Sequence, residues 1–246
     1  MTLRYLKTGA TYQDIGFEFR AAKCTVCKIV SETVQIINDE YFDELVCVPT
    51  TATEWKRMAD NWEKETQFPH CLGALDGTHI PISRPKDDDD PLPPGQPVDG
   101  QEGTGSKYYC WKQFYSVVIL ALVDANFKVI WCLVGASGKQ SDAGLFLECN
   151  LRTAFERGLL NIPEKAPLPN ETYQLPYYII GDNAFPLRSW ILHPYSKHGA
   201  DVPGKCFNYR LSRARIRVSE PINYLQNIFH FSCNVCANCC DIFLAT

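Results

Sequence analysis

The chain predicts an α/β domain, a mixed sheet flanked by helices, with a small helical segment ahead of it. Three observations carry that expectation. Nearly continuous apolar runs of strand length stand at residues 71–76, 115–123, 127–134 and 177–181. Helical apolar spacing precedes the first run, separates the third from the fourth, and follows the last. Two of the runs, far apart in sequence, end in aspartate: Cys71-Leu72-Gly73-Ala74-Leu75-Asp76 and Tyr177-Tyr178-Ile179-Ile180-Gly181-Asp182. Of 246 residues, 46% are hydrophobic and 21% charged, enough apolar material for one large core with a small appendage. The net charge of −4 excludes a uniformly basic nucleic-acid binder and leaves room for a local basic patch.

The N-terminal segment reads as helices. Thr11 is N-cap-like, and Ile15 and Phe19 follow four residues apart. Arg20-Ala21-Ala22-Lys23 makes a short turn. A second helix then carries Val26, Ile29 and Val30 on one face. This pattern suits a DNA-contacting helix-turn-helix, against the plainer reading of a helical hairpin packed on the next domain. Cys24 and Cys27 form a C-x-x-C with no second ligand pair at zinc-finger spacing, so one face of a helix explains them better than a metal. Residues 52–66 form a polar helix with an apolar stripe of Trp55, Met58 and Trp62, and Phe68-Pro69-His70 breaks it.

The first strand follows at about 71–76, and His79-Ile80-Pro81-Ile82 extends it. Gly77 lets the backbone turn or a ligand approach closely. Residues 84–107 are a loop, in which Asp87-Asp88-Asp89-Asp90 is a solvated charge run rather than a metal site. The runs at 115–123 and 127–134 form a hairpin turning at Asp124-Ala125-Asn126. Ser141-Asp142 caps a helix over about 143–158. A Pro-rich connection at 160–176 leads to the strand that delivers Asp182. Residues 186–192 read as a short helix. The last helix opens at Phe207 and carries Arg210, Arg213 and Arg215.

No apolar run reaches the roughly 18 residues of a membrane span, so no membrane partner is expected. Met1-Thr2-Leu3-Arg4 lacks an apolar signal core. The expected setting is intracellular, with the cysteines as thiols.

Strand, hairpin, helix, strand with aspartate, then basic helix is the element order of an RNase H-like domain. There the first strand and the strand after the first helix lie side by side, so Asp76 and Asp182 can share divalent cations. Hard carboxylate oxygens suit Mg²⁺ or Mn²⁺. Two such ions about 3.5–4 Å apart serve phosphodiester chemistry.

Five segments then become specific as a set: Gly73-Ala74-Leu75-Asp76-Gly77-Thr78-His79-Ile80, Ala121-Leu122-Val123-Asp124-Ala125-Asn126, Ser141-Asp142, Gly181-Asp182-Asn183-Ala184-Phe185-Pro186-Leu187, and Phe207-Asn208-Tyr209-Arg210-Leu211-Ser212-Arg213-Ala214-Arg215. In this order the chain resembles the PIF/Harbinger group of DDE transposases and their domesticated nuclease-like relatives. The resemblance runs from near residue 3 to about 215. It implies an RNase H-like nuclease, divalent metal, DNA as substrate, a nuclear location (with the cytoplasm as a second compartment) and a separate Myb-like DNA-binding partner. Asp76 and Asp182 match the first two acidic catalytic and metal-binding positions. Asp142 matches a recurrent family aspartate, either near the site or simply a helix N-cap. Arg210, Arg213 and Arg215 fit DNA-phosphate contacts or a solvated helical face. His79 invites a role beside Asp76, against the plainer one of a histidine satisfied by a nearby backbone group.

The third acid departs from the pattern. The resemblance puts a glutamate seven residues after Ser212, where this chain has Ser219. Glu220, one residue on, is the candidate third catalytic and metal residue, about 100° around the helix. Pro221 follows, unfavourable inside a helix, then Cys233, Cys236, Cys239 and Cys240. That cysteine run fits either a zinc site or a tail that no longer continues the domain. The expected organisation is therefore a helical segment at 1–66, an RNase H-like nuclease domain at 67–215 and a divergent Cys-rich tail at 216–246. Two functions stay open: a metal-dependent DNA nuclease, or a catalytically impaired relative that binds DNA or protein. A Mg²⁺ phosphohydrolase acting on another substrate is a weaker third.

Overall fold

Hydrophobic periodicity and local capping account for most elements. In the computed structural model, residues 1–82, 84, 107–169, 171–196 and 201–228 are described. The four-aspartate run and the four cysteines of the tail lie outside them. Four helices open the chain: α1 (Thr2–Thr8), α2 (Tyr12–Phe19), α3 (Lys23–Leu45) and α4 (Ala52–Thr66). Three strands follow, β1 (Cys71–Pro81), β2 (Ser116–Val123) and β3 (Val129–Ser137), then two short helices, α5 (Asp142–Glu148) and α6 (Asn150–Glu156). A two-residue ladder joins β4 (Ala166–Pro167) to β5 (Gln174–Leu175). The chain continues through β6 (Tyr178–Ile180) and β7 (Ile191–Leu192) to α7 (Val202–Ile228).

The main sheet has five strands in the order β3-β2-β1-β6-β7. β1, β2 and β3 form an antiparallel meander, and β6 and β7 add in parallel on the other side of β1. This is a mixed α/β sheet of RNase H-like type, with β1 at its centre. Alternation along the strands divides the core in two. Leu72, Leu75, Leu120, Leu122, Ile179 and Ile191 pack towards α5 and α6. Cys71, Ala74, Ala121, Val123 and Ile180 pack beneath α7, through Leu211, Ala214 and Val218. α4 contributes to both layers, since Trp55 joins the first cluster and Trp62 the second, each 0% exposed.

The helical segment has a small core of its own, Ile15, Val26 and Val30. The expected Thr11 cap is there, in a capping box with Asp14. The turn into α3 is tight. A Cβ on Gly16 would stand 2.6 Å from the Ala21 carbonyl oxygen, so only glycine fits. Helix, turn and helix are therefore present as expected.

β1 continues past Asp76 to Pro81 as expected, because β2 keeps pairing with it as far as Pro81↔Ser116. Three other local expectations are corrected. The helix expected over 143–158 is two helices. Cys149 between them is extended (φ −75, ψ 154), and its Sγ accepts from the Arg152 N–H as a cap for α6. Residues 186–192 form no helix, because Ile191 and Leu192 pair with Ile179 and Ile180 as β7. Burial of Ile191 in the sheet outweighs local helical spacing. The last helix begins earlier than Phe207 and passes through Pro221, although proline lacks the N–H that the helix ladder uses. Its face of Leu211, Ala214 and Val218, each 0% exposed, anchors it to the sheet and outweighs that loss. α7 thus crosses the expected boundary at 215 without a break.

Candidate functional site

Strand register brings the two aspartates together. The last parallel pair between β1 and β6 is Ala74↔Ile180. Asp76 and Asp182 each lie two residues further along, Asp76 still on β1 and Asp182 in the loop just past β6, near enough for the Asp182 charge to act on Asp76. There β6 has ended while β1 continues, which leaves Asp76 beside a gap in the pairing. Ala74, and with it Asp76 on the same strand, lies on the face under α7. Asp182 is partly held by its own loop, its Oδ1 accepting from the Ala184 N–H at 2.8 Å.

α7 meets Asp76 with two side chains one helical turn apart. Arg215 Nη2 stands 3.5 Å from Asp76 Oδ1. Ser219 Oγ donates to Asp76 Oδ2 at 3.2 Å. The Gly77 N–H donates to Oδ1 at 3.1 Å. Burial pushes the Asp76 carboxyl above the usual range; Arg215 opposes this, the Asp182 charge adds to it, and the Gly77 and Ser219 donors oppose it.

Asp142 arrives from the other layer. Gly77, one residue past Asp76, points to the opposite face, and a Cβ there would land on the Asp142 carboxylate. Gly77 therefore makes no turn; it leaves space for a third acid. Asp142 follows Ser141, whose Oγ accepts from the Gly144 N–H to cap α5, so the cap is serine and Asp142 is free of that duty. Burial raises its carboxyl, the charges of Asp76 and Asp182 raise it further, and Lys112 opposes them. Three carboxylates thus act on one another here. Among the described residues, no group of three His, Cys, Asp or Glu side chains stands closely enough to hold a metal ion unaided.

The other sequence candidates separate. Glu220 is exposed, while Ser219 holds the place on α7 that faces Asp76. The cause is helical phase: one residue turns a side chain by about 100°. Arg210 and Arg213 are exposed, whereas Arg215 is turned inward to Asp76. His79 has a side-chain partner, with Nδ1 3.0 Å from the buried Ser116 hydroxyl. Burial, then Lys112, holds its pKa below the usual value. Cys24 is exposed and Cys27 half-buried, both as free thiols.

Two residues were missed at the sequence level. Ser219 was counted as a lost acid, not as a hydrogen-bond donor to Asp76; its spacing of four from Arg215 on a helix was the available signal. Lys112, in a loop beyond the charge run, had no signal at all.

The family model for the DDE superfamily endonuclease matches residues 75–243, more than half of the chain. The "Protein ALP1-like" of Arabidopsis thaliana is 29% identical over 229 residues, covering 92% of this chain and 51% of that relative. The chain therefore spans about half the length of that curated relative. Among solved structures, the Mos1 transposase paired-end complex with the left transposon end covers 90% of this chain and 67% of its own, at 14% identity and a TM-score of 0.25, too distant to bear on the fold. With the family model spanning both strand aspartates and α7, the chain belongs to the DDE superfamily of endonucleases, in line with its PIF/Harbinger-like motifs.

Proposed function

We propose that this chain is a transposase-derived nuclease that cleaves DNA phosphodiester bonds with Mg²⁺ or Mn²⁺. The observation that supports it most is the convergence of Asp76, on β1, and Asp182, just past the end of the adjacent parallel strand β6, with Asp142 against Gly77. The donor set fits a hard divalent cation. All three groups are carboxylates; burial raises Asp76 and Asp142 most, and the neighbouring carboxylate charges that add to it (Asp182 at Asp76, Asp76 and Asp182 at Asp142) are what a cation would relieve. Mg²⁺ is commonly held through one or two carboxylates and otherwise keeps its waters.

Asp76 and Asp182 would hold the metal, which when bound supplies the Lewis acidity that activates an attacking water or DNA 3′-hydroxyl and stabilises the leaving oxygen. The Gly77 N–H fixes the direction of the Asp76 carboxylate. Asp142 adds negative potential from behind Gly77. Arg210 and Arg213, exposed on α7, would hold DNA phosphates and set the register of the backbone without reading sequence. A separate Myb-like partner would supply sequence recognition, with the nucleus as the site of action. Asp76→Asn is expected to lower Mg²⁺-dependent cleavage of duplex DNA by roughly 10³-fold, through several kcal/mol of lost charge stabilisation, with the circular dichroism spectrum retained. Equal cleavage by the variant would remove Asp76 from this role.

A second reading has its own support. Ser219 stands where the resemblance implies a glutamate, Glu220 is exposed, and Arg215 already neutralises Asp76. On that reading the chain is a catalytically impaired DNA- or protein-binding module, and well-folded wild-type protein would cleave no DNA with either metal.

A further inference from the structure

We infer that Arg215 is an internal counter-cation for Asp76, competing with a divalent ion for that carboxylate and so setting the metal affinity of the site; this inference rests on the metal-dependent reading above. Three observations carry it. The contact is a single one, Nη2 to Oδ1 at 3.5 Å, not the two-pronged pairing in which arginine binds carboxylate most strongly. It is nevertheless sheltered, with the side chains 23% and 20% exposed, so salt screens it little. Arg215 Nε is also buried with no hydrogen-bond partner, whereas buried donors in a settled structural role are ordinarily satisfied. The guanidinium leaves one donor unmet while aiming another at Asp76.

To these three is added the charge that α7 brings. At Ser219 it offers a hydroxyl, and at Arg215 a cation, so this helix face adds positive charge and no carboxylate to the aspartates. A divalent ion and the guanidinium are then alternative counter-ions for the same oxygens. Coupling of this kind is reciprocal: whatever Arg215 gains by holding Asp76, an incoming cation must overcome. Position 219 governs the balance. A glutamate there would give Arg215 another carboxylate partner and give the site another oxygen donor.

Calorimetric titration with Mn²⁺ alone tests this on the full chain, without reference to cleavage. R215Q is expected to tighten the Mn²⁺ dissociation constant by about tenfold, within the usual range for coupled sites. R215K keeps a point charge where only one contact is made, and so should stay within about twofold of wild type. S219E should tighten binding by about tenfold as well, and it serves as the independent arm if R215Q loses its fold. Unchanged or weaker binding by folded R215Q or S219E would overturn the inference. If D76N still abolishes the wild-type signal in that case, the metal reading stands without it. No Mn²⁺ uptake by any of these folded proteins would overturn both.

Discussion

Asp124 and the Asp76–Asp182 pair start alike and end differently. All three follow apolar strand runs. Asp124, 9% exposed at the β2–β3 turn, accepts at Oδ1 from two N–H groups of its own turn, those of Asn126 and Lys128, both at 2.8 Å. Its charge is used locally, as is usual for an aspartate that organises a turn. Asp76 has only one N–H from its own strand, and its other partners come from α7, more than a hundred residues away. On the proposed function, a strand-borne aspartate becomes a site when tertiary structure brings it another acid, and stays structural when its own turn consumes it.

Exchanging the roles of these aspartates gives the largest contrast. Asp182→Asn should remove metal-dependent cleavage by roughly 10³-fold and leave the melting temperature nearly unchanged. Asp124→Ala should do the reverse, costing about 2 kcal/mol through two lost charge-assisted hydrogen bonds. In calorimetric or optical melting that is a fall of about 5 °C. A cleavage loss from Asp124→Ala in folded protein would erase the distinction.

Much of this is legible in the sequence alone. The continuous apolar runs at 115–123 and 127–134 could be little other than paired strands, and the two apolar-run aspartates stood out. Register was not legible. That Asp76 and Asp182 converge depends on Ala74 pairing with Ile180, a parallel contact made by a strand of only three residues. β7 was hidden for the same reason. Two residues are too few to show a period of two, and Pro186 to Leu192 also fits a helical turn. On α7 the residue count puts Ser219 at the expected position and Glu220 about 100° from it. Counting from Ser212 reached Ser219 but could not show that it meets Asp76, which depends on how Leu211, Ala214 and Val218 seat the helix.

Gly77 sharpens the comparison further, because Asp124 has no counterpart to it. Gly77→Ala places a methyl group on the Asp142 carboxylate and should cost about 1–3 kcal/mol, as overpacked positions do. Most of that loss should return in the Gly77→Ala/Asp142→Ala double variant. A double-mutant cycle with no coupling between the two would place Asp142 elsewhere.

The smallest effect is one of pH. The folded Asp142 carboxyl lies above its ordinary value of 3.8, from burial and then from the charges of Asp76 and Asp182. The folded state therefore holds this proton more tightly than the unfolded state, and the group costs stability once pH rises through the folded value. Asp142→Asn should accordingly melt on the order of 1–2 °C higher than wild type at pH 7, after allowance for solvent screening of a half-buried group. The gain should shrink as pH falls through that raised value towards 3.8. A gain that grows in acid would mean that Asp142 is stabilised as the anion.

The central claim is that Asp76 and Asp182, and not Asp124, form a divalent-cation site. Mn²⁺ titration calorimetry on wild type, Asp76→Asn, Asp182→Asn and Asp124→Asn tests it most directly. The account predicts that binding is lost in the first two variants and kept at wild-type strength in the third; equal binding by all four proteins would contradict it.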